Sequence, residues 1–168
     1  MPLIIRPENA ADYSAISEVN RLAFGQDAEG ELVLALRNGG FVRLSLVAQD
    51  QGRIIGHILF SRLPILTKQG VVEALSLAPM AVCPTHQRRG IGTTLVQEGL
   101  RICRDQGHRI VIVLGHPKFY PRFGFSAALA QRITAPYSGP AWMALELVSG
   151  VMNNLTGKAD YPPPFAQV

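Results

Sequence analysis

The sequence predicts a single mixed α/β (α+β) domain, and three observations lead to this prediction. The chain has 168 residues, 48% of them hydrophobic, which is enough to close one core around a sheet. Two β-rich runs flank Asp50-Gln51-Gly52, a combination typical of a hairpin. A strand, an amphipathic helix and a second strand then follow within about 45 residues, which indicates a βαβ crossover.

The N-terminal part of the chain predicts one strand followed by two helices. LIIRP, at 3–7, has the pattern of a short strand. Residues 8–25 show helical periodicity, with Asn9 or Asp12 near the start and a glycine after the end. A second, shorter helix is expected over 27–40, where a pair of glycines stops it.

The central part predicts the two hairpin strands within 42–63 and then the crossover. Residues 71–82 form a third β-rich run, in which Pro79 indicates an edge, a bulge or a point where strands part. An amphipathic helix is expected over 88–106. The almost unbroken β-branched run at 109–115 is typical of a strand buried on both faces in a parallel pairing.

The C-terminal part predicts less regular structure. Residues 117–125 have the pattern of a short helical or turn segment, and 142–148 that of a last strand. The tail at 157–168 is rich in proline, so an arm packed on the domain and a loose arm are both compatible with it. We expect one domain over 1–168, with its core at 2–149 and a C-terminal extended arm at 150–168.

The distribution of charge favours a small polyanionic ligand over nucleic acid. Sixteen Lys and Arg against twelve Asp and Glu give a formal net charge of +4. Aromatic residues are not interleaved with the arginines for base stacking, and the arginines do not form a long basic run but concentrate at Arg88, Arg89, Arg101, Arg104 and Arg109. We therefore expect no nucleic-acid partner, with a basic surface of no function as the alternative.

The sequence also argues against membrane, disulfide and metal chemistry. No apolar run approaches the roughly 20 residues of a bilayer span, and the N-terminal apolar run is too short for a signal peptide. We expect a cytoplasmic protein with no membrane partner. Cys83 and Cys103 have no CxxC spacing and are expected to be reduced thiols. No His, Cys and Asp grouping has metal spacing, so we predict no metal.

The stretch VCPTHQRRGIGTTLVQEGL combines a strand end, two arginines, two glycines and the start of a helix. Such a turn suits a phosphate group, because its backbone amides point outward and the helix dipole is positive there. Gly90 and Gly92 allow close approach. A dinucleotide fingerprint would need a third glycine where the chain has Leu95, and the single Gly-Lys pair lacks the Ser or Thr of a Walker loop. The spacing that fits is Gln-x-x-Gly-x-Gly, beginning at Gln87.

This motif resembles the acyl-CoA-binding motif of the GCN5-related N-acetyltransferases (GNAT). The resemblance extends from Leu75 to Phe125, about a third of the chain. This stretch is similar to an uncharacterised bacterial branch of the family that is labelled YhbS-like. It implies the GNAT acyl-CoA N-acyltransferase fold, which has a central mixed, mostly antiparallel sheet of about six to seven strands flanked by about four helices. The fold also has one parallel βαβ crossover and a splayed strand pair.

The resemblance implies acetyl-CoA as the co-substrate, with its pyrophosphate on the amides from Arg88 to Thr93. Thr93 or Thr94 would donate a hydroxyl hydrogen bond, and the backbone of Met80–Val82 would pair with the pantetheine arm. Pro79 would mark the bulge at which this strand leaves the next one and opens a slot for the thioester. The full set of expected cofactor-binding residues is Met80, Ala81, Val82, Gln87, Arg88, Arg89, Gly90, Ile91, Gly92, Thr93, Thr94 and His116.

Acetyl transfer to an amine by direct attack requires a neutral amine, a polarised carbonyl and a proton for the leaving thiolate. The resemblance makes the Val82 N–H the expected oxyanion donor and Tyr120 the general acid, with a packed aromatic as the alternative for Tyr120. Glu73 lies where some relatives have a catalytic carboxylate that acts through water; an exposed strand residue is the alternative. His116 stands where many relatives have asparagine, so either a pantetheine contact or a turn role is open to it. His57 has no partner in sequence and is discounted.

The sequence therefore predicts an N-acetyltransferase that acts on a primary amine of a small molecule or peptide. The alternative is a non-catalytic acyl-CoA-binding sensor or subunit. The acceptor is unknown, but the segments that shape its site in the family carry residues suited to a cationic or aromatic amine, namely Asp27, Glu29, Glu31, Tyr137 and Trp142. The family often forms homodimers through its terminal strands, and the sequence leaves this state open.

Overall fold

The structure is a computed structural model that describes residues 2–167. Its strands are β1 (Ile4–Pro7), β2 (Val42–Asp50), β3 (Arg53–Thr67), β4 (Gly70–Val82), β5 (Ile110–Leu114), β6 (Ile133–Thr134), β7 (Trp142–Glu146) and β8 (Gly157–Ala159). Its helices are α1 (Tyr13–Phe24), α2 (Ala28–Asn38), α3 (Ile91–Asp105) and α4 (Ala127–Ala130). Short 3₁₀ turns lie at Ala10–Asp12, Pro84–His86, Tyr120–Phe123 and Pro163–Gln167.

The strands form a mixed sheet in the order β1-β2-β3-β4-β5-β7, with β8 beside β3 and β6 beside β8. The three long strands β2, β3 and β4 pair antiparallel with their neighbours in this group. Strands β4 and β5, which α3 connects, pair in parallel. This confirms the predicted mixed sheet, the four helices and the βαβ unit. The described chain has eight strands rather than the expected six to seven, because β6 and β8 have only two and three residues and leave no periodicity in the sequence.

Local signals set the ends of the N-terminal elements much as predicted. The Asn9 N–H donates to the Asp12 carboxylate at 2.8 Å, and the Asn9 side chain accepts an N–H of the next turn, which completes a reciprocal cap. Gly25 ends α1 in the left-handed region, with a φ of 71°. Gln51 and Gly52, at φ values of 50° and 79°, turn the hairpin between β2 and β3.

Helix α3 packs closely on one face of the sheet through the small residues at its contact. A Cβ added at Gly99 would lie 2.6 Å from the ring of Phe60, and one added at Gly56 of β3 would lie 3.1 Å from Leu95. The helix buries an apolar stripe formed by Ile91, Leu95, Val96, Leu100 and Cys103. Burial of each large apolar side chain contributes roughly 1.5–3 kcal/mol to the free energy of folding. This packing fixes the N-terminus of α3 relative to the end of β4.

Strand β4 carries the predicted irregularity at Pro79. Opposite β3, its register shifts by one extra residue between Leu77 and Met80, and the Ala78–Pro79 peptide bond is cis. Pairing with β5 ends at Leu77 and Val113. The two parallel strands therefore part at the bulge, and the backbone of β4 beyond it has an open edge, as the sequence predicts.

The C-terminal tail packs on the domain, which is one of the two alternatives that the sequence left open. Part of the segment expected as an extended arm is strand β8, which aligns Lys158 and Ala159 with Leu66 and Ile65 of β3. Phe165, in the last turn, is buried with apolar residues of α1 and α2 on the sheet face opposite α3. None of the described helices is both long and apolar enough to cross a membrane.

Candidate active site

A cleft of about 910 Å³ opens where β4 and β5 part. The end of β4 lines it on one side, and the turn before α3 lines its mouth. The segment after β5, which includes Tyr120, forms the opposite wall. The end of α1, the start of α2, Tyr137 and the C-terminal segment complete the lining. These segments adjoin one another, since Tyr137 packs on Tyr161 and Phe165 packs with Leu32 of α2, and we call this part of the cleft its far end. The cleft therefore joins the predicted phosphate turn to residues from both ends of the chain.

Of the two glycines of the motif, Gly90 adopts an unusual backbone conformation, whereas Gly92 lies inside α3. Arg88 and Gly90 both lie in the left-handed region, with φ values of 64° and 80°, and α3 begins directly afterwards at Ile91. The N–H groups of the first helical turn have no intrahelical carbonyl to bind and point out of the helix. Since Gly92 and Thr93 also line the cleft, this N-terminus faces it. The turn can thus present amides and a positive dipole end to an anion.

A side chain of the motif braces this turn against β4. Gln87 Nε2 donates to the carbonyl oxygen of Val82 at 2.9 Å. Cys83 N donates to Ile55 O of β3 at 2.8 Å, so the alternation of a strand turns the N–H and C=O of Val82 towards the open edge. The Val82 carbonyl already accepts the hydrogen bond from Gln87. The Val82 N–H is therefore the backbone group that can donate to a ligand in the cleft.

Tyr120 lies on the opposite wall and is 6% exposed. Its ring packs edge-on against Phe119 and Phe125, with centroid distances of 5.0 and 5.6 Å. Its backbone N–H donates to the carbonyl of His116 at 3.3 Å, and His116 also lines the cleft. Burial raises the pKa of the Tyr120 phenol to about 12, because the phenolate would lose its hydration. The phenol therefore stays protonated at neutral pH.

The charges along the cleft are segregated. Near the turn before α3, the lining includes two cations, Arg88 and Arg122, and Arg122 stacks on Phe119, which lies beside Gly92. His86 and His116 also line this part of the cleft. Among the described lining residues, Glu29 is the single carboxylate, and it lies one helical turn before Leu32 of α2, which packs with Phe165 at the far end. The cleft is thus cationic where an anion is expected and acidic and aromatic at its other end.

Most of the predicted site residues meet at this cleft, and three do not. Those lining it are Met80, Ala81, Val82, Gln87, Arg88, Gly90, Ile91, Gly92, Thr93, His116 and Tyr120. Arg89 is exposed outside the lining, and the Thr94 hydroxyl donates to Gly90 O at 2.9 Å, which stabilises the helix start. Glu73 lies apart from the cleft and pairs with Arg62 at 2.6 Å, with 59% of its side chain exposed. The structure thus gives Glu73 the position of an exposed strand residue, which is the alternative to a base.

Sequence reasoning missed the contribution of the C-terminal segment. Tyr161 and Phe165 line the cleft, although they belong to the tail that was expected as an extended arm. The signal available in the sequence was the pair of aromatic residues around three prolines, in YPPPF. Of the acceptor residues considered, Glu29 and Tyr137 line the cleft, whereas Trp142 is buried behind it. Asp27 and Glu31 are exposed outside the lining.

Strands β4 and β5 part beside the N-terminus of α3. This arrangement is the one expected from the sequence for an acyl-CoA acyltransferase. Residues 4–128 match the family model of the acetyltransferase (GNAT) domain, and the chain belongs to that family. The recognition made from the Gln-x-x-Gly-x-Gly motif is therefore confirmed. Within the part of the chain that the structure describes, no three His, Cys, Asp or Glu side chains group as metal ligands.

Relatives of this family match almost the whole chain. The uncharacterized N-acetyltransferase YhbS of Escherichia coli K12 is 34% identical over 166 residues, which cover 97% of this chain and 98% of the relative. The crystal structure of YhbS from Escherichia coli in complex with CoA superposes with a TM-score of 0.89, covering 98% of this chain and 92% of that one. A GNAT family acetyltransferase from Brucella melitensis in complex with acetyl-CoA gives a TM-score of 0.83 at 32% identity, covering 98% of each chain.

Proposed function

We propose that this acetyltransferase transfers an acetyl group from acetyl-CoA to a primary amine of a small molecule or peptide by direct attack. The observation that carries the proposal is the cleft itself, since a protonated tyrosine and an outward strand N–H face the same space beside a helix N-terminus. YhbS and the Brucella melitensis protein, solved with CoA and acetyl-CoA, support the choice of donor. A cytoplasmic location and a homodimer stay predictions from the sequence.

In the proposed complex, the pyrophosphate of acetyl-CoA binds the first-turn amides of α3. Arg88 contributes positive charge beside these amides, and Gly90 and Gly92 keep side chains out of the way. The pantetheine arm extends the sheet by pairing with the open backbone edge from Met80 to Val82. Support comes from the end of β4–β5 pairing at Leu77, which leaves that edge free for a ligand strand.

In the proposed reaction, the neutral amine attacks the thioester carbonyl and the carbon–sulfur bond breaks. The Val82 N–H donates to the oxyanion of the tetrahedral intermediate. Tyr120 donates its proton to the leaving thiolate of CoA, and the extra proton of the attacking amine passes to water. The Tyr120 phenolate then regains a proton from water, which restores the enzyme. Because the pKa of Tyr120 is raised to about 12, the phenol carries this proton throughout the neutral range. Glu73 has no part in this scheme, since its carboxylate is paired with Arg62 away from the cleft.

The test is the substitution Tyr120→Phe, which removes the hydroxyl and keeps the ring packing against Phe119 and Phe125. We expect kcat to fall by about 100-fold or more, the usual scale of a lost general acid, with little change in acetyl-CoA affinity. Turnover is followed by release of the CoA thiol, and affinity by calorimetric titration. Phe123→Leu, in the same turn, is the matched control and should keep most of the activity.

Two results would contradict the proposal. Equal kcat in Tyr120→Phe would remove the tyrosine from the chemistry. Binding of acetyl-CoA without turnover of any amine in a broad panel would favour the non-catalytic sensor instead.

A further inference from the structure

Four aromatic residues meet at the far end of the cleft and form what we term the aromatic corner, namely Tyr137, Trp142, Tyr161 and Phe165. The rings of Tyr137 and Tyr161 stand at 89° to each other with centroids 5.3 Å apart. Those of Tyr161 and Phe165 are 5.0 Å apart at 68°. Trp142 lies behind, 6.2 Å from Tyr161 and 3% exposed, and the other three line the cleft. Perpendicular rings of this kind offer both faces and edges to a guest.

The aromatic corner is held in place by the sheet. Strand β8 pairs with β3, and the N–H of Asp160 donates to Pro64 O at 2.9 Å, directly before Tyr161. Phe165 packs among buried residues of α1 and α2. The indole N–H of Trp142 donates to Ala130 O at 3.3 Å. The corner is therefore a preformed wall, and a ligand that binds it need not order a loose tail.

Glu29 is the single carboxylate among the described residues that line the cleft. Glu29 lies at the start of α2 and is partly buried, and both of its oxygens accept from Gln26 Nε2, at 3.0 and 3.1 Å. The two arginines of the lining, Arg88 and Arg122, lie beside the turn before α3. A ligand group at the aromatic corner thus meets apolar ring surface and negative charge. An anionic group there would be repelled by Glu29 and would find no cation to pair with.

We propose that the aromatic corner and Glu29 select an acceptor whose amine is carried on an aromatic body and has no carboxylate beside it. This inference rests on the proposed function, because it describes the second substrate of the same cleft. The rings of Tyr137, Tyr161 and Phe165 receive the aromatic body. Glu29 attracts the protonated amine as it enters and disfavours amino acids, whose carboxylate would share the same space. Arylalkylamines are the substrate class with this chemistry.

The experiment compares acetyl transfer to phenethylamine, phenylalaninamide and phenylalanine under identical conditions. The three share an aromatic body and an amine, and they differ in having no substituent, a neutral amide or a carboxylate beside the amine. We expect kcat/KM for the first two to exceed that for phenylalanine by about tenfold or more. Glu29→Gln should shrink this difference. Glu31→Gln, which neutralises an exposed carboxylate of the same helix outside the lining, should leave it unchanged.

A second comparison tests the aromatic wall. Tyr137→Leu keeps an apolar side chain but removes a ring from the corner, in a loop rather than in the sheet. We expect KM for phenethylamine to rise by about fivefold or more, with little change for n-hexylamine. Unchanged affinity for acetyl-CoA in this variant would show that the fold is intact.

The outcomes separate this inference from the proposed function. Amine turnover in which phenylalanine equals or exceeds phenethylamine would overturn the acceptor class and leave the acetyltransferase reaction standing. If no amine is turned over, titration of the same three compounds into the protein–CoA complex still measures the preference. Tighter binding of phenethylamine there would support the aromatic corner while contradicting turnover, and equal binding of all three would overturn the inference.

Discussion

At the scale of single residues, Gly115 determines where Tyr120 can lie. A Cβ added at Gly115 would overlap the Tyr120 ring, far inside van der Waals contact. Gly115 is itself fixed, since its N–H donates to Ala141 O at 2.9 Å. The glycine at the end of β5 is therefore a positioning residue for the tyrosine rather than a flexible hinge.

Gly115→Ala should act through Tyr120. The added methyl group must displace the ring, so we expect kcat to fall by about tenfold or more while acetyl-CoA affinity changes little. The discriminating measurement is the double variant. If both substitutions remove the same hydroxyl contact, adding Gly115→Ala to Tyr120→Phe should cost little further activity. Two losses that simply multiply would show that Gly115 does not work through the phenol.

At the scale of elements, the close packing of α3 on the sheet aims its N-terminus at the cleft. Gly99 lets α3 pack directly on the Phe60 ring of the sheet. Gly92, in the first turn of α3, faces Met80 and Phe119 of the cleft lining. A Cβ at Gly92 would lie 3.4 Å from Met80 Cε, which is an ordinary contact. A larger side chain at Gly92 would therefore occupy space in the cleft without disturbing the packing of α3 on the sheet.

Gly92→Val should weaken acetyl-CoA binding by about tenfold or more, because its branched side chain enters the space beside the turn proposed to bind the pyrophosphate. Titration calorimetry measures the affinity, and thermal unfolding checks that the variant is folded. Gln97→Val introduces the same side chain on the exposed face of α3 and should bind like the native protein. Native affinity in Gly92→Val would show that the turn does not hold the coenzyme.

At the scale of the whole molecule, a buried polar chain connects α1, α2, β2, β3 and the residue that follows β1. His57 of β3 contacts the Ser45 hydroxyl at 3.0 Å and the Asn20 amide at 3.3 Å. Ser45 donates to Glu8, which pairs with Arg37 of α2 at 3.1 Å. Asn20 Nδ2 also donates to Ile16 O, so its amide faces His57 Nδ1 as a donor. His57 then donates from Nε2 to Ser45, and the ring is neutral.

This neutral histidine makes the fold sensitive to acid. Burial, with a smaller effect of the Arg37 charge, lowers the pKa of His57 from 6.5 to about 3. The unfolded chain takes up this proton at its ordinary pKa and the folded chain does not. The stabilisation is therefore complete above about pH 6.5 and is lost as the pH falls towards 3, by about 1.4 kcal/mol per pH unit.

We expect the free energy of unfolding to fall by about 3 kcal/mol between neutral pH and about pH 4.5 through His57 alone. Urea unfolding at the two pH values measures the loss. His57→Gln retains hydrogen-bonding capacity and does not titrate, so its acid loss should be smaller by that amount. Asp12, whose pKa is lowered mainly by its hydrogen bonds with Arg6, contributes to both proteins and cancels in the comparison. Equal losses in the two proteins would exclude His57 as the source.

The sequence by itself determined the crossover, the turn before α3 and the family. These features depend on contacts between near neighbours in the chain. The strand before the turn, Gln87, Gly90, Gly92 and the helix after them are contiguous, and their dihedral and periodicity requirements appear directly in residue type. Tyr120 lies shortly after the next strand, so its place at the cleft could also be predicted from a local motif. Pro79 marked the point where the strands part for the same reason.

Only the tertiary structure decided what closes the far end of the cleft. Tyr161 and Phe165 reach it because β8 pairs with β3, and a strand of three residues has no periodicity that a sequence pattern can reveal. Glu29 and Glu31 look alike in sequence, yet one lines the cleft and the other is exposed. Glu73 pairs with Arg62 of the neighbouring strand rather than entering the cleft. Such choices depend on register and packing between distant segments, which set the direction of each side chain.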